Sequence, residues 1–156
     1  MGDLINEILT RLRLIADFQF VAIWNNQFEY LQDGGEYVFP MPCVFVEVQN
    51  ENNQDLGCNY QGQDVNIIFH IGQDFYNGSQ MEQNFTIFEL RDLLVKSISN
   101  FKPTTASKMV KTSEQQDFNH SNFYHYAISY KTHWIDNTAV NAETISIAPL
   151  NLIINK

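Results

Sequence analysis

The apolar residues of this chain recur at two periods, and the alternation between them lays out the fold. Leu4, Ile5, Ile8, Leu9, Leu12 and Ile15 fall at helical spacing behind Asp3, placed as an N-cap, and predict an amphipathic helix over about residues 4–16. Ile87, Leu90, Leu94, Ile98 and Phe101, joined by Phe88 and Val95, predict a second helix over about 81–100, which Pro103 ends. The remaining apolar segments follow period two. Residues 18–24 alternate loosely as a strand, Asn25-Asn26 reads as a bend, and 27–31 as a short strand or helical turn.

The sharpest local signal is Phe39-Pro40-Met41-Pro42 running into Cys43-Val44-Phe45-Val46-Glu47-Val48. A proline has no backbone N–H and a fixed φ, so full ladder pairing is expected to begin only at Cys43. Val44, Val46 and Val48 then face one way, and Cys43, Phe45 and Glu47 the other. A clean strand follows over 64–71, with Val65, Ile67, Phe69 and Ile71 on one side and Asn66, Ile68 and His70 on the other. A long strand over 123–134 lines up Tyr124, Tyr126, Ile128, Tyr130, Thr132 and Trp134. Residues 108–112 read as a further strand, and 141–155 supply a last apolar one. Gly34-Gly35 and Tyr76-Asn77-Gly78-Ser79 read as turns, 49–62 as the longest loop, and 113–122 as an acidic-polar loop. The order is α+β, in one domain over 1–156 with no internal repeat or linker. Residues 137–156 are a candidate C-terminal strand or arm.

Composition narrows the partners. At 156 residues the chain buries enough surface to fold without disulfides or metals. Its formal net charge of −9 opposes nucleic-acid binding, which draws on Lys and Arg to release counterions. The 29 Asn and Gln residues outnumber the 18 acidic and 9 basic ones, so the surface is amide-rich, and amides are desolvated at lower cost than charges. Cys43 and Cys58 show no CxxC spacing, which favours a reduced cytosolic protein. Asp3, Glu7, Arg11 and Arg13 interrupt any signal-peptide core, and no apolar run is long enough to span a membrane. Asn6 stands where a myristoylation signal needs Ser or Thr. Three Asn-x-Ser/Thr sequons, at Asn77, Asn84 and Asn119, are expected by chance in so Asn-rich a chain.

Chemistry is sparse. His70, His120, His125 and His133 are the candidate metal ligands, but His125 and His133 lie eight residues apart on one strand, roughly 26 Å. His120 and His125 meet only across a loop, with no carboxylate or thiol at ligand spacing, so no metal is expected. Glu114 and Asp117 with Asp64 have too few bases beside them, in Lys108 and Lys111, for phosphate or Mg²⁺ chemistry. Asp33-Gly34-Gly35-Glu36 lacks the pattern of a phosphate loop. The aromatic ladder Tyr124, Tyr126, Tyr130 and Trp134 lacks the positive charge that single-strand binding needs. No cofactor and no enzymatic activity are expected.

The order and spacing of the N-terminal helix, Trp24-Asn25-Asn26-Gln27-Phe28, Phe39-Pro40-Met41-Pro42-Cys43-Val44-Phe45-Val46-Glu47, the strand 64–71, the helix 81–100 and the strand ending Tyr130-Lys131-Thr132-His133-Trp134 resemble the tail-terminator and tail-completion proteins of tailed bacteriophages and prophages, particularly those of Bacteroidetes hosts. The resemblance covers roughly residues 1–136. It implies a mixed, mostly antiparallel sheet flanked by the two helices. It also implies a ring, typically a hexamer, at the head-proximal end of the tail, assembled in the host cytoplasm and carried in the virion. Such a ring ends tail-tube polymerisation and joins the tail to the capsid neck. Its partners are further copies of itself, the tube protein and the neck proteins, with DNA only passing through and no membrane involved.

Three features of the sequence agree with that role. Acidic walls repel phosphates from a DNA channel. The amide-rich segments 49–63 and 113–122 are long enough to reach neighbours in a heterologous ring. Pro40 and Pro42 guard a strand edge against uncontrolled strand addition. A neck or head-completion protein, a tail-tube subunit, or a contractile-injection relative shares this assembly logic. The reading from a different class is a small metal-dependent hydrolase using His120, His125 and acids of 113–122. Asp33, Glu36, Glu114 and Asp117 are the candidate lumen- or partner-facing acids, and reversal of Glu114 and Asp117 to Lys is expected to leave folding intact. Pro40, Pro42, Tyr124, Tyr126 and Trp134 are candidate strand-edge or interface residues, the aromatic three being core or interface.

Overall fold

The computed structural model describes residues 1–29, 39–74, 80–99, 101–120, 123–138 and 140. Among the described residues two helices and five strands follow one another as α1 (Gly2–Leu12), β1 (Phe20–Ile23), β2 (Cys43–Gly57), β3 (Tyr60–Asp74), α2 (Gln80–Ser99), β4 (Val110–Asp117) and β5 (Phe123–Asp136). The strands form one sheet in the order β1-β2-β3-β5-β4. Only β1 and β2 run parallel, and every other pairing is antiparallel. The expected α+β class with a mixed, mostly antiparallel sheet is the observed one.

Period two places the core on both faces of this sheet. On one face Val44 and Val46 of β2, the four apolar residues Val65, Ile67, Phe69 and Ile71 of β3, and Tyr126, Ile128, Tyr130 and Trp134 of β5 pack beneath the helices. Leu4, Ile8, Leu9 and Leu12 of α1 and Ile87, Leu90, Leu94 and Ile98 of α2 close that side. Helix α1 stops at Leu12, earlier than its pattern suggested, and Met1 rather than Asp3 occupies the N-cap without a side-chain bond, leaving Asp3 as an acid in the first turn. Tyr126 and Trp134 therefore belong to the core, and Tyr124 packs against it half-buried. These residues lie on an interior strand flanked by β3 and β4, so they are not at a strand edge.

The opposite face carries a second cluster of Phe28, Phe39, Met41, Cys43, Phe45 and Phe123. Its lid comes from connections rather than helices. The strand starts at Cys43, as the missing proline N–H groups predict; the Met41-Pro42 bond is cis, and the Pro42 carbonyl accepts from Gln19 N–H at 2.8 Å. Pro40 is exposed and Pro42 half-buried.

Two expected loops are strands instead. Residues 49–62 form the distal half of a β2–β3 hairpin, closed by Cys58 and Asn59 at φ 51° and 65° between the paired Gly57 and Tyr60. Two successive positive φ values fit a primed two-residue turn, which matches strand twist. Residues 113–117 belong to β4, with a register shift between Lys111 and Ser113. Backbone pairing sustains both segments, and side-chain periodicity, the only signal available beforehand, is weak because all of 49–61 and 110–115 is exposed. The Gly34-Gly35 and 76–79 turns and the strand expected over 141–155 lie outside the described residues.

Candidate functional site

The second face gathers the titratable groups. Register sets His70 on β3 opposite Phe45 of β2 and Ala127 of β5, while His125 on β5 stands opposite Gly72 of β3 and Asp117 of β4. Glu47, His70, His125 and Asp117 therefore share a face and run across four strands. Glu47 Oε2 lies 2.8 Å from His70 Nε2, His70 Nδ1 3.0 Å from His125 Nε2, and His125 Nδ1 3.2 Å from Asp117 Oδ2. His120, in the connection leaving β4, brings its Nε2 to 3.4 Å from the same Asp117 Oδ2. The Asn119 N–H donates to Asp117 Oδ1 at 2.9 Å and fixes the carboxylate.

Aromatic rings roof this row. Trp24 stacks on His70 with centroids 4.1 Å apart and planes 14° from parallel. Phe28 meets His125 edge-on at 4.8 Å, and Phe123 stacks on His120 at 4.4 Å. The side chains of His120 and His125 are only 2% and 8% exposed, against 25% for Asp117, which forms the solvent edge of the group.

Burial decides the electrostatics. It disfavours imidazolium, so His70 is shifted down despite Glu47, and His125 is pushed down to about 4, with His70 adding to burial and Asp117 opposing it. Burial alone would raise Asp117, but the Asn119 N–H and the His125 ring outweigh it and hold the carboxyl below its ordinary value. Cys43, beneath the same cluster, is raised by burial to about 12. Among the described residues, Asp117, His120 and His125 form a group whose donor atoms all lie within 4.8 Å of one another.

This grouping corrects the reading that no carboxylate accompanies His120 and His125. Asp117 is not a solvated loop acid, because the β4–β5 pairing sets it directly opposite His125. Glu114 sits on the other face of β4, where Arg91 of α2 donates to Glu114 Oε1 at 2.6 Å and Lys111 lies 3.2 Å from Oε2. That pairing holds Glu114 low and Arg91 high. Asp33 and Glu36 lie outside the described residues. Sequence reasoning named His70 as a candidate ligand but missed it, Glu47 and Trp24 as neighbours of the site; the faces of His70 and Glu47 were legible, and their cross-strand partners and the place of Trp24 were not.

The distal hairpin forms a second surface. From Gln49 to Gln61 every residue is exposed, including Leu56 and Tyr60 at 47% and 40%. Beyond Val46, where β1 ends its pairing, no strand among the described residues covers the outer side of β2. The sheet's other border is blunted: β4 is polar, short and shifted in register. Compared with protein-family models and with curated proteins, the chain finds no match.

Proposed function

We propose that this chain is a structural virion protein of a tailed bacteriophage or prophage, forming a ring at the head-proximal end of the tail that ends tube growth and joins the tail to the capsid neck. The observation that carries this reading is the exposed hairpin over 49–61, where no described strand pairs with the outer side of β2 and exposed Leu56 and Tyr60 stand outside the described core clusters. An open strand side is a template for another chain, and polar amides with a few apolar anchors suit a contact between subunits. Nine residues of strand from Gln49 to Gly57 reach about 30 Å, enough to lie across a neighbour. The acidic balance of the chain supports passage of DNA without retention.

Light scattering of the purified protein over a concentration series, alone and with tail tubes added, tests the proposal. A ring, formed alone or on tubes, and its loss in Leu56→Asp/Tyr60→Asp with unchanged circular dichroism, is the expected result. A monomer indifferent to tubes refutes it, and unlimited polymerisation of the protein alone indicates a tube subunit instead.

A further inference from the structure

The row Glu47–His70–His125–Asp117 does not close as a chain of hydrogen bonds. With both carboxylates ionised, as is ordinary near neutral pH, only the two imidazoles carry hydrogens, one each when neutral. Three short contacts must be filled, at 2.8, 3.0 and 3.2 Å. Two hydrogens cannot fill three contacts: if His125 Nδ1–H donates to Asp117, His70 Nε2 faces Glu47 without a hydrogen, and if His70 Nε2–H donates to Glu47, His70 Nδ1 accepts from His125 Nε2–H. His125 Nδ1 is then a bare lone pair aimed at Asp117 Oδ2, itself only an acceptor. Two lone pairs at this distance, at the solvent edge of the group, repel unless a proton or a metal ion lies between them.

His120 Nε2 converges on the same oxygen from the other side, at 3.4 Å. Donor atoms bound tetrahedrally to a zinc-like ion at about 2.0–2.1 Å stand about 3.3–3.4 Å apart, so both distances to Asp117 Oδ2 match the edges of such a site. The geometry points to a divalent metal site of the zinc class held by Asp117 Oδ2, His120 Nε2 and His125 Nδ1. Two imidazoles and one carboxylate suit Zn²⁺ or Co²⁺ and not the all-oxygen preference of Ca²⁺ or Mg²⁺. His70 and Glu47 act behind His125, since a ligating imidazole ordinarily donates its other N–H to an orienting group. With His120 and His125 enclosed by Phe28 and Phe123, the ion would tie β4, β5 and their connection to the aromatic face, a holding role and not turnover. The inference is independent of the assembly reading.

The test uses the full chain, stripped by chelator and titrated with Co²⁺ and then Zn²⁺. The expected result is one Co²⁺ per chain with the intense visible bands of a tetrahedral site, displaced by Zn²⁺, and a higher Tm on loading. Glu47→Gln should weaken affinity about 10–100-fold through His70, and Asp117→Asn and His120→Asn by more. His133→Asn should leave binding unchanged, because His133 pairs separately with Asp64 at 3.2 Å. Absence of Co²⁺ uptake by the wild-type chain overturns the proposal whatever the variants do. So does a pale octahedral spectrum, or binding lost in His133→Asn and kept in His120→Asn.

Discussion

Replacing Gly72 with alanine tests how tightly the aromatic face is packed. A Cβ at Gly72 would stand 2.6 Å from Phe28 Cζ, 2.9 Å from Phe28 Cε1 and 2.9 Å from Cys43 Sγ. Ordinary contact begins near 3.4 Å, so the methyl must displace the ring by most of an ångström. The ring has nowhere to go: it is fully buried, with Phe123 at 4.9 Å, His125 at 4.8 Å, Trp24 at 5.1 Å and Phe45 at 5.4 Å. Overpacking of this kind costs about 1–3 kcal/mol. For a chain of this size each kcal/mol lowers Tm by about 2–4 °C. Denaturant titration followed by tryptophan fluorescence reads the change.

Phe28→Leu, which withdraws the clashing ring atoms, should cost stability alone yet rescue Gly72→Ala, giving a coupling of about 0.5–3 kcal/mol in a double-mutant cycle. A Gly72→Ala protein within about 0.5 kcal/mol of wild type would refute the clamped-ring account, as would strict additivity with Phe28→Leu.

Ellman titration of the folded protein should release the thiol of exposed Cys58 at once and that of Cys43 only on unfolding, since burial raises Cys43 to about 12; equal rates would contradict its placement. Glu114→Lys should set a third cation against Arg91 and Lys111 and destabilise by up to about 1 kcal/mol, less at high salt, as measured by thermal unfolding at two ionic strengths; a salt-independent effect would refute the ion-pair origin.

What the sequence disclosed and what it hid divide along one physical line. Wherever one side of a strand is buried, alternation names the face: Val44 and Val46, the four apolar positions of β3, and the aromatic ladder of β5 were all legible, and helical spacing located both helices. The hairpin over 49–61 was not, because a strand exposed on both sides has no hydrophobic period to display; only Gly57-Cys58-Asn59, a turn without the usual Asn-Gly signature, hinted at it. The site was hidden for a related reason. Asp117 and His125 stand eight residues apart and become neighbours through the β4–β5 register, which residue spacing alone does not encode. The strand 123–134 placed His125 on a face, but nothing in its own segment announced that His70 and Glu47 would stand beside it.

The tight turn at Cys58-Asn59 also bears on the order in which the chain folds. Pairing of β2 with β3 starts across two residues and can zip inward from Gly57 and Tyr60, passing the shifts near Asn53 and Gly57 before reaching Val46 and Phe69. Pairing of β3 with β5 must instead close a loop that contains all of α2, from Asp74 to Phe123 at the least, and local contacts form faster than such distant ones. A slip of one residue at the tip would turn Val65, Ile67, Phe69 and Ile71 away from the helices. The outlying arm, which buries almost nothing itself, thus acts as the counting device from which the alignment of the interior strands is set.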